Sequence, residues 1–204
     1  TVKLSIEDLV QTRIPTQHGE FTLHYYSNNL DEKEHIALVK GEVAGQDNVP
    51  VRIHSECFTG DVLGSRRCDC GEQLDMALEI INQHGCGILV YLRQEGRGIG
   101  LLKKLQAYNL QDQGLDTVDA NLSLGHLADE RQYDVAGLIL QNLNVSSIAL
   151  ITNNPQKIDE LTRLGINVKQ RIAIETLINA DNLDYLKTKA ERMHHMLSVN
   201  DEQD

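Results

Sequence analysis

Short apolar runs alternate with turn residues through the first fifty positions of the chain. Phe21-Thr22-Leu23-His24-Tyr25-Tyr26, His35-Ile36-Ala37-Leu38-Val39 and Val49-Pro50-Val51-Arg52-Ile53 are rich in β-branched and aromatic side chains. Such runs predict strands of an antiparallel or barrel-like region. The period then changes. Leu74, Ala77, Leu78 and Ile81 recur at i, i+3, i+4 and i+7, one face of a helix, and Gly85 suits its C-terminal stop. Ile88-Leu89-Val90-Tyr91-Leu92 reads as a buried strand, and residues 101–113 as a helix ending at Gly114. Residues 129–143 read as another helix, with Tyr133, Ala136, Ile139, Leu140 and Leu143 on one face.

Ser147-Ile148-Ala149-Leu150-Ile151 reads as a further strand. Asn154 and Pro155 supply the N-cap and first turn of a helix that Gly165 closes, and residues 166–168 begin one more strand. A last helix is expected over 183–197, followed by an acidic tail, 198–204, expected to be disordered. Strands alternating with helices predict a parallel sheet with crossover connections. The expected fold class is therefore α/β: a mixed or parallel sheet flanked by helices, with an N-terminal antiparallel barrel-like strand region, in one domain spanning 1–197. Ligands of such sheets bind beyond the carboxyl ends of the strands, here residues 93–97 and 152–154.

Composition narrows the function. A chain of 204 residues, 41% hydrophobic, can bury a core. No run of 18 apolar residues is present, so no membrane-spanning helix is expected. The acidic opening Thr1-Val2-Lys3-Leu4-Ser5-Ile6-Glu7-Asp8 does not resemble a signal peptide, and the cytoplasm is the expected compartment. The net charge of -11 argues against nucleic acid as a partner. Between Arg52 and Lys104, however, seven basic side chains balance seven acidic ones, so the whole negative surplus lies elsewhere. A locally basic segment in an acidic protein suits a small anion such as a nucleotide.

That segment holds Cys57 and the pair Cys68-Asp69-Cys70. Cysteines in a cytosolic chain favour metal or catalysis over disulfides, and the i,i+2 spacing would strain a disulfide. Three thiolates suit zinc. No further Cys or His has fourth-ligand spacing, which points to an open site able to polarise a water. Three thiolates donate more charge than three imidazoles, so a nearby base would help. Cys86, isolated at a helix-to-strand junction, reads as core. The stretch Gln94-Glu95-Gly96-Arg97-Gly98-Ile99-Gly100 offers backbone amides and arginine to an anion. Its third glycine comes too early for the dinucleotide fingerprint, and it is not a P-loop. Taken alone, Asp129 reads as a helix N-cap and Tyr108 as half-buried packing. Lys157 sits in a helix's first turn, against the dipole, which hints at an anion.

The motifs Arg52-Ile53-His54-Ser55-Glu56-Cys57, Arg67-Cys68-Asp69-Cys70-Gly71, Arg93-Gln94-Glu95-Gly96-Arg97-Gly98-Ile99-Gly100-Leu101, Asp129-Glu130-Arg131 and Thr152-Asn153-Asn154-Pro155-Gln156-Lys157 occur in this order. Together they resemble GTP cyclohydrolase II, over residues from about Ile14 to Met193. The resemblance implies a homodimeric enzyme dependent on zinc and magnesium that opens riboflavin biosynthesis. It implies zinc on Cys57, Cys68 and Cys70. It implies GTP contacts from Arg52, Ile53, His54, Ser55, Glu56, Gln73, Glu95, Gly96, Arg97, Thr117, Thr152 and Lys157. It implies Asp129 as proton acceptor, Tyr108 assisting at the base, and Arg131 as nucleophile or triphosphate-orienting group. A guanidinium stays protonated, so charge stabilisation is the role expected of Arg131.

The chain departs from the family pattern at residues 175–180 and at Met193-His194-His195. Two other readings are a purine nucleotide hydrolase that stops at the formamidopyrimidine, and a non-catalytic GTP-binding regulator. A zinc deaminase would need a His/Cys-x-Glu together with a Cys-x-x-Cys, and the chain has no Cys-x-x-Cys.

Overall fold

The computed structural model describes residues 3–95, 100–114 and 133–174. Its centre is one seven-stranded mixed sheet. The strands are β1 (Ile6–Thr16), β2 (Gly19–Asn28), β3 (His35–Lys40), β4 (Val49–Ser55), β5 (Gly87–Leu92), β6 (Ile148–Ile151) and β7 (Val168–Ile172). Their spatial order is β1-β2-β3-β5-β4-β6-β7. The first three form an antiparallel meander, and β3 joins β5 antiparallel. From β5 onward the neighbours β5-β4-β6-β7 are parallel. The antiparallel strands read from residues 21–39 are thus continuous with the parallel ones in a single sheet.

Residue pattern explains which strands lie where. β4, β5 and β6 are buried along nearly their whole length, and β5 and β6 are apolar almost without interruption, as suits central parallel strands covered on both faces. β1 is largely exposed and occupies the edge.

The helices are α1 (Phe58–Asp61), α2 (Cys70–His84), α3 (Leu101–Asp112), α4 (Asp134–Asn142) and α5 (Pro155–Arg163). Alternation along β5 divides the core. Ile88, Val90 and Leu92 join Val135, Ala136, Ile139, Leu140 and Leu161, under α4 and α5. Leu89 joins Ala77, Leu78 and Ile81, under α2. Helices therefore cover both faces, a three-layer α/β arrangement. α2 ends where its sequence says: Gly85 takes φ 89° and its N–H closes on Ile81 and Asn82 carbonyls. α5 starts on Asn154, whose side chain accepts the Gln156 N–H at 3.0 Å, with Pro155 next.

Chain order places the site. From β4 the chain moves to its neighbour β5 through α2. It then crosses back past β4 to β6 and goes on to β7. Connections leave β4 and β6 in opposite directions, so a crevice opens at the carboxyl ends of these two neighbours. The expected helix over 129–143 is seen from Asp134. The start of that helix, the helix over 183–197 and the tail 198–204 lie outside the described residues.

Candidate functional site

The β4 strand delivers Arg52, Ile53, His54 and Ser55, and the turn after it delivers Glu56 and Cys57. Cys57 is the N-cap of α1, in extended conformation. Cys68 lies in the loop before α2, and Cys70 is the first residue of α2. Their three sulfurs lie within 4.8 Å of one another, and Cys57 Sγ is 3.7 Å from Cys68 Sγ. Zinc–sulfur bonds of about 2.3 Å on a tetrahedron put sulfurs about 3.8 Å apart, so this edge already fits. Two glycines make room for the cluster. A Cβ on Gly60 would lie 3.0 Å from Cys68 Sγ and 3.2 Å from Cys57 Sγ. A Cβ on Gly71 would run into the Gly60 carbonyl. α1 and α2 therefore meet backbone to backbone, with the sulfurs in the hollow left between them. Cys86 stands apart, half-buried, with Sγ 3.7 Å from His84 Nδ1.

Protons distribute unevenly over the sulfurs. Hydrogen bonds from Cys68 and Cys70 hold the Cys57 thiol far below its ordinary value, and the Lys104 ammonium adds to this. Cys68 is pushed up to about 11, first by its bond to Cys57, and Cys70 is raised for the same reason. Of the three, Cys57 is the sulfur most disposed to carry charge, and a cation bound by the cluster would displace the protons and collect all three sulfurs as thiolates.

Lys104 and Tyr108, one turn apart on α3, face the cluster. Lys104 Nζ donates to Cys57 Sγ at 2.8 Å and to Glu95 Oε1 at 2.6 Å. Burial is the largest single influence and works against its charge, but Cys57, Tyr108 and Glu95 together outweigh it and favour the ammonium. Glu95 is buried, and its other oxygen accepts the Phe58 N–H at 2.7 Å. Tyr108 Oη lies 3.3 Å from Thr59 Oγ1, which is 3.7 Å from Cys57 Sγ. The Arg67 guanidinium covers the Tyr108 ring at 4.5 Å and binds Asp112 at 3.0 Å. Burial pushes the Tyr108 phenol up to about 12, so it is a neutral donor.

Behind the cysteines a buried carboxylate gathers three donors. Asp61 accepts from Cys57 N at 3.0 Å, Tyr91 Oη at 2.7 Å and His54 Nε2 at 3.0 Å. Since a carboxylate only accepts, the His54 proton sits on Nε2. His54 stacks on Tyr91 at 5.6 Å, and burial lowers its basicity although Asp61 opposes this. Arg52 is also buried. Its guanidinium donates to the Ile151 carbonyl at 3.0 Å and to Gln73 at 2.7 Å, and Gln73 donates to buried Asp69 at 2.7 Å. β4, β6 and α2 are thereby tied at the crevice floor. Ile53 packs in the core, Ser55 is half-buried, and Glu56 pairs with Arg93.

Thr152 and Lys157 are buried at the β6 end. Lys157 Nζ lies 5.8 Å from the Tyr133 ring, and its charge reaches His54 across the crevice. Arg52, His54, Gln73, Glu95, Tyr108, Thr152, Lys157 and the three cysteines therefore line one edge of the sheet. Gly96, Arg97, Thr117, Asp129 and Arg131 lie outside the described residues. The sequence reading assigns no role to Asp61 or Lys104. The i+4 spacing from Lys104 to Tyr108, which puts both on one helix face, is the signal that could have found Lys104.

The profile of a family described as GTP cyclohydrolase II matches residues 7–173. The Riboflavin biosynthesis protein RibBA of Chlamydia muridarum is 54% identical over 194 residues, covering 95% of this chain and 46% of that protein. Its counterpart from Rhodococcus erythropolis is 53% identical over 199 residues, covering 95% of this chain and 47% of that protein. The chain spans about half the length of the curated relatives it matches. Among solved structures, the crystal structure of RibBX, a two domain 3,4-dihydroxy-2-butanone 4-phosphate synthase from A. baumannii, aligns with a TM-score of 0.49 at 24% identity. That alignment covers 83% of this chain and 40% of the other.

Proposed function

Because the chain belongs to the GTP cyclohydrolase II family, we propose that it hydrolyses GTP to 2,5-diamino-6-(5-phospho-ribosylamino)pyrimidin-4-one, formate and pyrophosphate, the first step of riboflavin biosynthesis. The observation that carries this reading is the convergence of three sulfurs in a glycine-lined hollow beside the crevice between β4 and β6. Cys57, Cys68 and Cys70 would hold zinc, and the thiol-only donor set and the sulfur spacing fit that ion. When bound, zinc supplies a Lewis acid that activates water for attack at guanine C8.

The remaining work falls to the chain's own side chains. Water is added at the α-phosphorus as pyrophosphate leaves, at C8 to open the imidazole, and again to release formate from the formamide. Arg52 and Lys157 supply fixed positive charge to the phosphate end, with Mg2+ accompanying the triphosphate. Arg97 and Arg131 join them there, and Gly96 and Thr117 complete the contacts. Asp129 accepts the proton of an attacking water. Tyr108, neutral and hydrogen-bonded to Thr59, donates to the base as charge develops on it. The chain acts as a homodimer in the cytoplasm in this reading.

Incubation with GTP and Mg2+, with and without a zinc chelator, tests the proposal. Formate, pyrophosphate and the pyrimidine should appear together, and the chelator should stop formate release. Full formate release by Cys68→Ser would sink the zinc assignment. A formamide product by mass spectrometry would mark a hydrolase that stops early, and GTP binding without turnover would mark a regulator.

A further inference from the structure

Lys104 has no role in the reading above, although its ammonium touches a proposed metal ligand. Only 13% of its side chain is exposed, and a buried ammonium is costly unless paired. Its partners are Glu95 Oε1 at 2.6 Å and Cys57 Sγ at 2.8 Å. Glu95 is itself anchored, through its second oxygen, on the Phe58 N–H that opens α1. The chain α1–Glu95–Lys104–Cys57 closes on itself, so the ammonium cannot turn away from the sulfur without breaking a second charged bond.

An N–H aimed at a thiolate draws electron density from it. Three thiolates give a bound cation more charge than three imidazoles do, which blunts its Lewis acidity. A cation fixed on one sulfur offsets part of that donation. Partners of metal ligands tune the metal in this way. The geometry points to Lys104 as a positioning residue that holds Cys57 and withdraws charge from its sulfur, keeping the metal electrophilic. This inference rests on the zinc reading of the preceding subsection.

A lysine that merely pins α3 to Glu95 would leave the electronic state of the metal untouched, and cobalt reports that state. The protein is loaded with Co2+ alone, and its sulfur-to-cobalt charge-transfer band is recorded for wild type, Lys104→Gln and Lys104→Arg. We expect the band of Lys104→Gln at longer wavelength, because a thiolate that has lost its cationic donor gives up its electron more readily. Lys104→Arg keeps a cationic donor and should stay near wild type. With zinc restored, formate release by Lys104→Gln should fall about 10- to 100-fold. Lys104→Met serves in the same assay where the Gln variant fails to fold. Coincident bands for the neutral variants and wild type overturn the tuning role while leaving the zinc site standing. No cobalt–thiolate band in wild type removes the zinc reading and this inference with it.

Discussion

Asp61 shows how much one side chain can organise. It holds the backbone of a proposed zinc ligand, the tautomer of His54 and the hydroxyl of Tyr91. Asp61→Ala leaves buried donors without an acceptor, each costing about 1–3 kcal/mol. We expect a loss of at least about 2 kcal/mol in urea unfolding, with weakened metal retention because the Cys57 turn is no longer held. Tyr108 offers a contrasting test. Tyr108→Phe removes one hydroxyl from a half-buried ring still covered by Arg67. The fold and metal content should persist, while formate release should slow by about 100-fold or more, the lower range for a positioned proton donor. Undiminished formate release would return Tyr108 to packing, which is how its pattern reads alone. His54 and Tyr108 enter the sequence reading through the family resemblance, and Cys57 stands out because a thiolate suits a metal. Asp61 does not, because its work depends on three groups that only the fold brings to it.

Among the elements, α1 and α2 form the hollow that the sulfurs share, and the Gly60–Gly71 contact sets its width. Gly71→Ala places a methyl group against the Gly60 carbonyl and should force the two helices apart. Strain of this kind costs about 1–3 kcal/mol. We expect the variant to retain less than the wild-type zinc content after dialysis, read by atomic absorption. Asn154→Ala acts at an element's end, where loss of the cap should cost about 1 kcal/mol in chemical denaturation. Both helix ends, at Asn154 and Gly85, were legible because capping is local chemistry. The start of α2 was not. Apolar spacing begins at Leu74, whereas the helix begins at Cys70, whose position is dictated by the packing of Gly71 on Gly60.

Across the whole molecule, burial of uncharged histidine makes stability depend on pH. His35 is fully buried, and its Nδ1 accepts the Arg93 N–H at 3.0 Å, which only the neutral ring can do. Burial lowers its basicity below the ordinary 6.5, with Asp31 partly opposing. As pH falls through 6.5 the unfolded chain takes up a proton that the folded chain refuses, so stability is intact above that pH and declines below it. His35→Asn keeps an acceptor near the same place and cannot titrate. Unfolding midpoints measured between pH 7.5 and 5 should fall less steeply for it than for wild type. Metal adds a second global term. Binding at a hundred times Kd is worth about 2.7 kcal/mol, and chelation should therefore lower Tm by about 5–10 °C in a chain of this size.

At this scale the division between sequence and structure has a physical cause. Periodicity, caps and glycine stops are set by neighbours a few residues away, so the strands at 21–26, 35–39, 49–53 and 88–92 and the α/β class could be read directly. The cysteine trio could be read too, because two of its members share one turn. Tertiary structure alone decided that β4 lies between β5 and β6, since pairing depends on which buried faces meet rather than on order along the chain. That placement opens the crevice and brings Arg52, Gln73 and the Ile151 carbonyl into contact. The fold also carries Lys104 of α3 onto the sulfur of Cys57.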